Sequence, residues 1–519
     1  MRTTSGPKRW STTRRRMSAG ALATALALAG GTTGAVALQT PAHAGGGGKA
    51  RWLVDSSLAT MKDVTTTIGA PGVWAKVDAA GRRVTGKGIG VALIDSGIAP
   101  VKGLAQPGKV INGPDLSFES QAGSLANRDT FGHGTHMAGI IAGRDPETPA
   151  GKENDPRYFV GVAPDATLVN LRVAATDGAV DVSQVIAAID WAVTHRKDPG
   201  LNIRVLNLSF GTDSVQNRQL DPLAYAVEQA WKAGIVVVAS VGNDGPTDTR
   251  VANPAIDPYI IAVGGADTLG TAGQKDDLVG TFSTRGDAVR HADLLAPGRS
   301  IGSLRAPGSH VDVNYPGGLV PDGTGRFFKG SGTSQAAAMV SGAAALLLQQ
   351  RPTLTPDQVK KLLTSTAQPL TGADVIAQGS GELNIKAASD ARTPTTTQTF
   401  TRGLGTGSLE AARGGAHVAD SMTGVELTGE QDIMGRPWTP ATWTAAAAAG
   451  TSWSGGSWNG GLWAGSDWTG TSWTARTWSG RTWSARTWSG DTWTARTWSS
   501  STWSARTWSG GYWSSTTWS

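Results

Sequence analysis

From residue 88 onward, short runs rich in Val, Ile and Leu alternate with longer stretches of helical pattern. The runs lie at 89–94, 167–173, 203–210, 235–241 and 260–264 and are almost continuously apolar. A strand covered on both faces carries such a run, whereas a half-exposed strand alternates. Helical stretches at 134–143, 181–195 and 221–233 lie between them. Residues 334–350 are mostly Ala, Leu, Met and Val and predict a buried central helix. Thr355-Pro356-Asp357-Gln358 predicts another helix start: a Thr cap, Pro at the first position, Gln three residues on. Strands alternating with helices predict an α/β fold of three layers around a mainly parallel central sheet. Ligands of such sheets sit beyond the carboxyl ends of strands, where Asp95 and Asn243 both fall.

After residue 390 the pattern changes. The expected organisation is a signal peptide at 1–44, a short leader at 45–75, a main domain at 76–390, a Thr-rich linker and small segment at 391–437, and a repeat tail at 438–519. From Trp453 to Trp518 every fifth residue is Trp. Period five suits neither a helix face nor a strand face, and Gly, Ser and Thr disfavour a long helix. Disordered segments are normally poor in aromatics. An ordered repeat or binding module and a flexible tail therefore stand as equal readings. Arg476, Arg481, Arg486, Arg496 and Arg506 outnumber Asp467 and Asp491 there. Flat apolar rings with interleaved positive charge suit sugar rings or anionic cell-wall polymers. On this reading a chain cut near residue 400 keeps its catalysis and loses attachment.

Six basic residues precede residue 17. An apolar stretch from Met17 to Leu38 follows, then Ala42-His43-Ala44, so a secretory signal cleaved after Ala44 is expected. Both the general and the twin-arginine export routes stay open. No later segment approaches a membrane span. The net charge of +6 is partly signal charge and is not read as a nucleic-acid footprint. There is no cysteine, which excludes disulfides and a thiol nucleophile.

Three Gly-framed segments carry the chemistry: Val91-Ala92-Leu93-Ile94-Asp95-Ser96-Gly97, Gly132-His133-Gly134-Thr135-His136, and Gly330-Ser331-Gly332-Thr333-Ser334-Gln335-Ala336-Ala337. Each alone reads as structure: a strand entering a turn, a His pair without a third metal ligand, a capped helix start. Together they present Asp95, His133 and Ser334 in the order Asp, His, Ser. A serine hydroxyl needs a neighbouring base, and the base needs a third group to hold its tautomer. The frames resemble the subtilisin-like serine peptidases from about residue 65 to about 390, and the Asp-His-Ser order is the one subtilisin uses.

The resemblance implies a secreted serine endopeptidase with Ser334 as nucleophile, His133 as base and Asp95 as its partner. It places the oxyanion-hole amide at Asn243, inside Ala239-Ser240-Val241-Gly242-Asn243-Asp244-Gly245. It assigns Ser209, Phe210 and Gly211 to substrate main-chain pairing, and Ser240, Val241 and Gly242 to the pocket wall for the residue before the cut. His136 is read as structural. No cofactor is required. The resemblance allows structural calcium, for which no compact acidic loop stands out. The leader is too short for the inhibitory pro-domain common in this family. The competing reading is a wall- or polymer-binding protein whose Trp tail carries the function; such a carrier would be expected to have lost one of the four site residues, and all are present. Partners are protein or peptide substrates, with no nucleic acid.

Overall fold

The computed structural model describes residues 57–117, 119–120, 124–418 and 426–462. The expected signal peptide, the start of the leader and the tail beyond 462 lie outside the described residues. The chain opens with α1 (Met61–Thr67), α2 (Ala70–Trp74), β1 (Gly90–Asp95), β2 (Val110–Asn112) and α3 (His133–Ala142). It continues through β3 (Thr167–Arg172), α4 (Val182–His195), β4 (Ile203–Leu208), α5 (Pro222–Lys232), β5 (Val236–Ser240) and β6 (Ile261–Asp267). Then come β7 (Leu278–Val279), β8 (Leu294–Pro297), β9 (Ile301–Leu304), α6 (His310–Asn314), β10 (Phe327–Gly330) and α7 (Thr333–Gln350).

Strands β2-β3-β1-β4-β5-β6 run parallel in that spatial order. Antiparallel β7 and parallel β8 both pair with β6. Every residue of β1 is buried, as expected for a strand with helices on both sides. α3 packs on α7 and α4 on α5, giving the three layers. The α7 helix is buried along nearly its whole length, so its Ala-rich sequence suits close approach to β4, β5 and β6. Capping is local and legible: Asp181 and Gln184 form a reciprocal box at α4, and Thr355 with Gln358 does the same at α8 (Pro356–Ser365).

Two domain boundaries differ from expectation. From residue 57 the leader belongs to the main domain: Trp74 is buried and donates its indole N–H to the Val162 carbonyl at 3.0 Å, and Ala59 bridges to Ile301. The expected linker is no free connection either. After α9 (Val375–Gln378) and α10 (Ile385–Asp390), the chain runs back over the domain through α11 (Leu409–Arg413) and α12 (Pro440–Ala449). The Tyr259 hydroxyl bonds the Phe400 carbonyl, Gly403 N–H bonds Glu228 at 2.9 Å, and buried Arg413 pairs with buried Asp181 at 2.6 Å. Trp438, Trp443, Trp453 and Trp458 are all buried. A buried aromatic removes about 150–250 Å² from water, which outweighs the flexibility that Thr and Gly suggest locally. The first Trp repeats form a small antiparallel sheet, β11 (Trp453–Ser454), β12 (Ser457–Trp458) and β13 (Gly461–Leu462), with Trp453 directly opposite Trp458.

Candidate active site

Asp95 closes β1 and His133 opens α3, so both stand at the carboxyl edge of the sheet. His133 Nδ1 lies 2.8 Å from Asp95 Oδ1 and 2.9 Å from Oδ2. A carboxylate accepts only, so Nδ1 carries the proton and the lone pair resides on Nε2. Asp95 Oδ1 also accepts the Ser96 N–H at 2.8 Å. Gly134 is required by close approach: a Cβ there would sit 2.1 Å from the Gly97 carbonyl oxygen. Burial pulls the His133 imidazole down, but the charge and hydrogen bond of Asp95, joined by the charge of Asp129, outweigh it, and the net shift is upward.

Ser334 stands in the first turn of α7, where helix N–H groups concentrate partial positive charge. It is nearly buried, at 8% exposed. The strand leading to it, β10, is tied to α3 through His136, whose Nε2 lies 3.1 Å from the carbonyls of Ile301 and Phe328. That ring is buried; burial and the neighbouring His133 push its pKa down to about 3, so it stays neutral. His136 thus joins three elements, α3, β9 and β10.

Asn243 is exposed just past β5. Its Oδ1 accepts the Thr333 N–H at 2.8 Å and the Thr333 hydroxyl at 3.1 Å. The amide as a whole lies beside the turn that carries Ser334: a Cβ on Gly332 would sit 3.3 Å from Nδ2 and 3.4 Å from Oδ1. Ser209 lies at the end of β4, with Oγ 3.5 Å from the Ser334 carbonyl and accepting from Asn207 Nδ2 at 3.1 Å. Phe210 is half-buried and Gly211 exposed beside it. Ser240 ends β5 and Gly242 follows with φ near 110°. Val241 is fully buried in the core, and both its N–H and its carbonyl are engaged in backbone bonds. Its side chain thus belongs to the core. Among the described residues no group of three or more His, Cys, Asp or Glu could hold a metal ion, and no position for calcium follows from the geometry.

The buried groups beneath the site are those that sequence reasoning missed. Ser96 and Asp129 lie under Asp95 and His133. Asn207 holds the Ser341 hydroxyl of α7 at 2.8 Å. A signal for Asp129 existed: Gly132, the N-cap of α3, has no side chain to cap with, so another residue had to do it. A held imidazole, a hydroxyl on a helix N-terminus and a side-chain amide beside it are equipment for acyl transfer.

A profile of the Subtilase family matches residues 86–407. Serine protease AprX of Bacillus subtilis (strain 168) is 37% identical over 312 residues, covering 59% of this chain and 67% of that protein. Subtilisin DY of Bacillus licheniformis is 33% identical over 328 residues, covering 63% of this chain and 99% of the relative. Subtilisin BL of Lederbergia lenta is 30% identical over 312 residues, 59% of this chain and 93% of the relative.

Proposed function

The chain belongs to the subtilase family, and on that premise we propose that it is a secreted serine endopeptidase working through Asp95, His133 and Ser334. Family membership makes it a subtilisin-like serine endopeptidase that acts on proteins or peptides. The assignment of residues is our own. Its chief support is the pairing of His133 Nδ1 with both oxygens of Asp95, which sets the imidazole up to accept a proton at Nε2.

In this mechanism Ser334 Oγ attacks the scissile carbonyl while His133 Nε2 takes its proton. Asp95 stays ionised and stabilises the imidazolium. The oxyanion forms beside Asn243 Nδ2 and the first turn of α7. His133 then gives the proton to the leaving amine, and water releases the acyl group by the reverse route. The substrate chain lies extended along 209–211, so main-chain bonds supply affinity with little sequence demand. The small residues Ser240 and Gly242 favour an apolar side chain before the cut.

Export rests on the basic, apolar and Ala-x-Ala order of residues 1–44. Among the described residues no helix is long and apolar enough to cross a membrane. The repeats beyond residue 462 serve attachment to wall or anionic polymers, on the strength of their regular Trp and Arg. The deciding experiment is labelling by a fluorophosphonate probe. The full chain should label and hydrolyse peptides, thiol blockers should leave both intact, and Ser334→Ala should abolish both. Labelling that survives Ser334→Ala would refute the assignment.

A further inference from the structure

The first turn of α3 cannot cap itself. Gly132 sits at the N-cap with φ near 108° and no side chain. The unpaired N–H groups of a helix start still need acceptors. Asp129 supplies them from outside the helix. One of its oxygens, Oδ1, accepts the Gly132 N–H at 2.6 Å, and Oδ2 accepts the Thr135 N–H at 2.7 Å. These two N–H groups flank His133 in the chain.

The same carboxylate reaches the other half of the pair. Oδ1 accepts the Ser96 hydroxyl at 2.8 Å. Ser96 Oγ accepts the Gly134 N–H at 2.9 Å and lies 3.3 Å from Asp95 Oδ1. Ser96 has one hydroxyl proton, and the shorter contact gives it to Asp129. The Thr135 hydroxyl accepts the Ala99 N–H at 2.9 Å, a further tie between α3 and the chain after β1. Asp129 and Thr135 are 0% exposed, so water offers no alternative partner. Burying a carboxylate is unfavourable unless its lone pairs are used. Here the Gly132 and Thr135 N–H groups and the Ser96 hydroxyl use them, and all belong to the segments that frame Asp95 and His133.

We propose that Asp129 is a positioning residue that clamps the first turn of α3 to the end of β1, fixing His133 against Asp95, and whose charge favours the imidazolium formed during catalysis. The charged and titratable groups facing His133 are Asp95 from β1, Asp129 from the loop before α3, and His136 on its own helix. His136 stays neutral, so the two carboxylates set the local charge. Arg172 on β3, paired with Glu119 and with Asp115, faces Asp129 from the far side. Burial drives the Asp129 carboxyl upward against the bonds from Thr135, Gly132 and Ser96.

This proposal rests on His133 being the general base, and the test separates the two. Full-length Asp129→Asn and Ser96→Ala are compared with the wild type and with His133→Ala. Asn has one acceptor oxygen in place of two and carries no charge. Asp129→Asn should lower kcat by about 10–10²-fold, the scale of a small misplacement of a reacting group, with KM little changed. It should also move the acid limb of kcat/KM to lower pH, because loss of a nearby negative charge lowers the imidazole pKa. Ser96→Ala keeps the charge and cuts the bridge, so kcat should fall while the acid limb stays in place. A purely structural role for Asp129 would lower the melting temperature without moving the limb. A folded Asp129→Asn with wild-type kcat and limb overturns the proposal; if that variant does not fold, wild-type kcat in Ser96→Ala overturns it. Wild-type activity in His133→Ala would instead bring down the proposed function itself.

Discussion

At the residue scale, the two ends of the Asn243 amide have different tasks. Thr333 holds Oδ1 through its N–H and its hydroxyl, which fixes the amide in place beside the Ser334 turn. A donor fixed in advance stabilises an oxyanion without reorganising when charge develops. Asn243→Ala should therefore lower kcat by about 10²–10³-fold, a magnitude measured for loss of one such donor in subtilisin, a relative of this chain. KM should barely change, since the bond is made in the transition state and not in the ground state. Steady-state kinetics on a peptide substrate check this. An effect confined to KM would assign Asn243 to substrate binding. The site residues were legible in the sequence because each sits in a short Gly-framed segment. Asp129, which lies outside those frames, and Ser96, which lies inside one, were less so, since their importance depends on a bond between two distant segments.

At the element scale, α4 is the anchor for the C-terminal extension. The indole N–H groups of Trp443 and Trp458 both donate to Asp190 Oδ2 at 2.8 Å, and Trp453 donates to the Ala187 carbonyl at 2.7 Å. Trp438 packs against Trp443 and Trp458, with ring centroids 5.0 and 6.2 Å apart. Burial pushes the Asp190 pKa from 3.8 up to about 6, against the bonds from Trp458, Trp443 and Ser452. An Asp whose pKa is higher folded than unfolded stabilises the fold fully below its unfolded value, and the contribution is lost as pH rises through the folded value. Between pH 4 and pH 7.5 the wild type should therefore lose up to about 3 kcal/mol from this group. Asp190→Asn is neutral at both pH values and should lose less stability over that interval. Denaturant unfolding of both proteins at the two pH values measures the difference; equal losses would remove Asp190 as the cause.

At the scale of the whole molecule, the extension and the peptidase form one folded body through residue 462. A chain ending at residue 400 would uncover Asp181, Asp190 and the apolar surface now under Trp438, Trp443, Trp453 and Trp458. Asp181 would lose the guanidinium of Arg413, and stripping one partner from a buried pair costs about 3–5 kcal/mol. That approaches the whole stability of many domains. A chain cut after 400 should thus melt far lower than the full chain or fail to fold, while a chain cut after 462 should keep peptide hydrolysis and its melting temperature. Thermal melts and peptide turnover of the two truncations decide between this outcome and the independent tail expected from composition. The sequence by itself determined five strands of the parallel sheet, the start of α8, the α/β class and the three candidate site segments. These rest on periodicity and on bonds within a few residues, such as the apolar run ending at Asp95 or the box of Thr355 and Gln358. Only the tertiary structure decided where the domain ends and what holds the site from beneath. Trp443 and Asp190 are 253 residues apart in the chain, and Ser96 and Asp129 are 33 apart. Neither contact leaves a local pattern, because a partner brought in by packing places no constraint on the residues next to it.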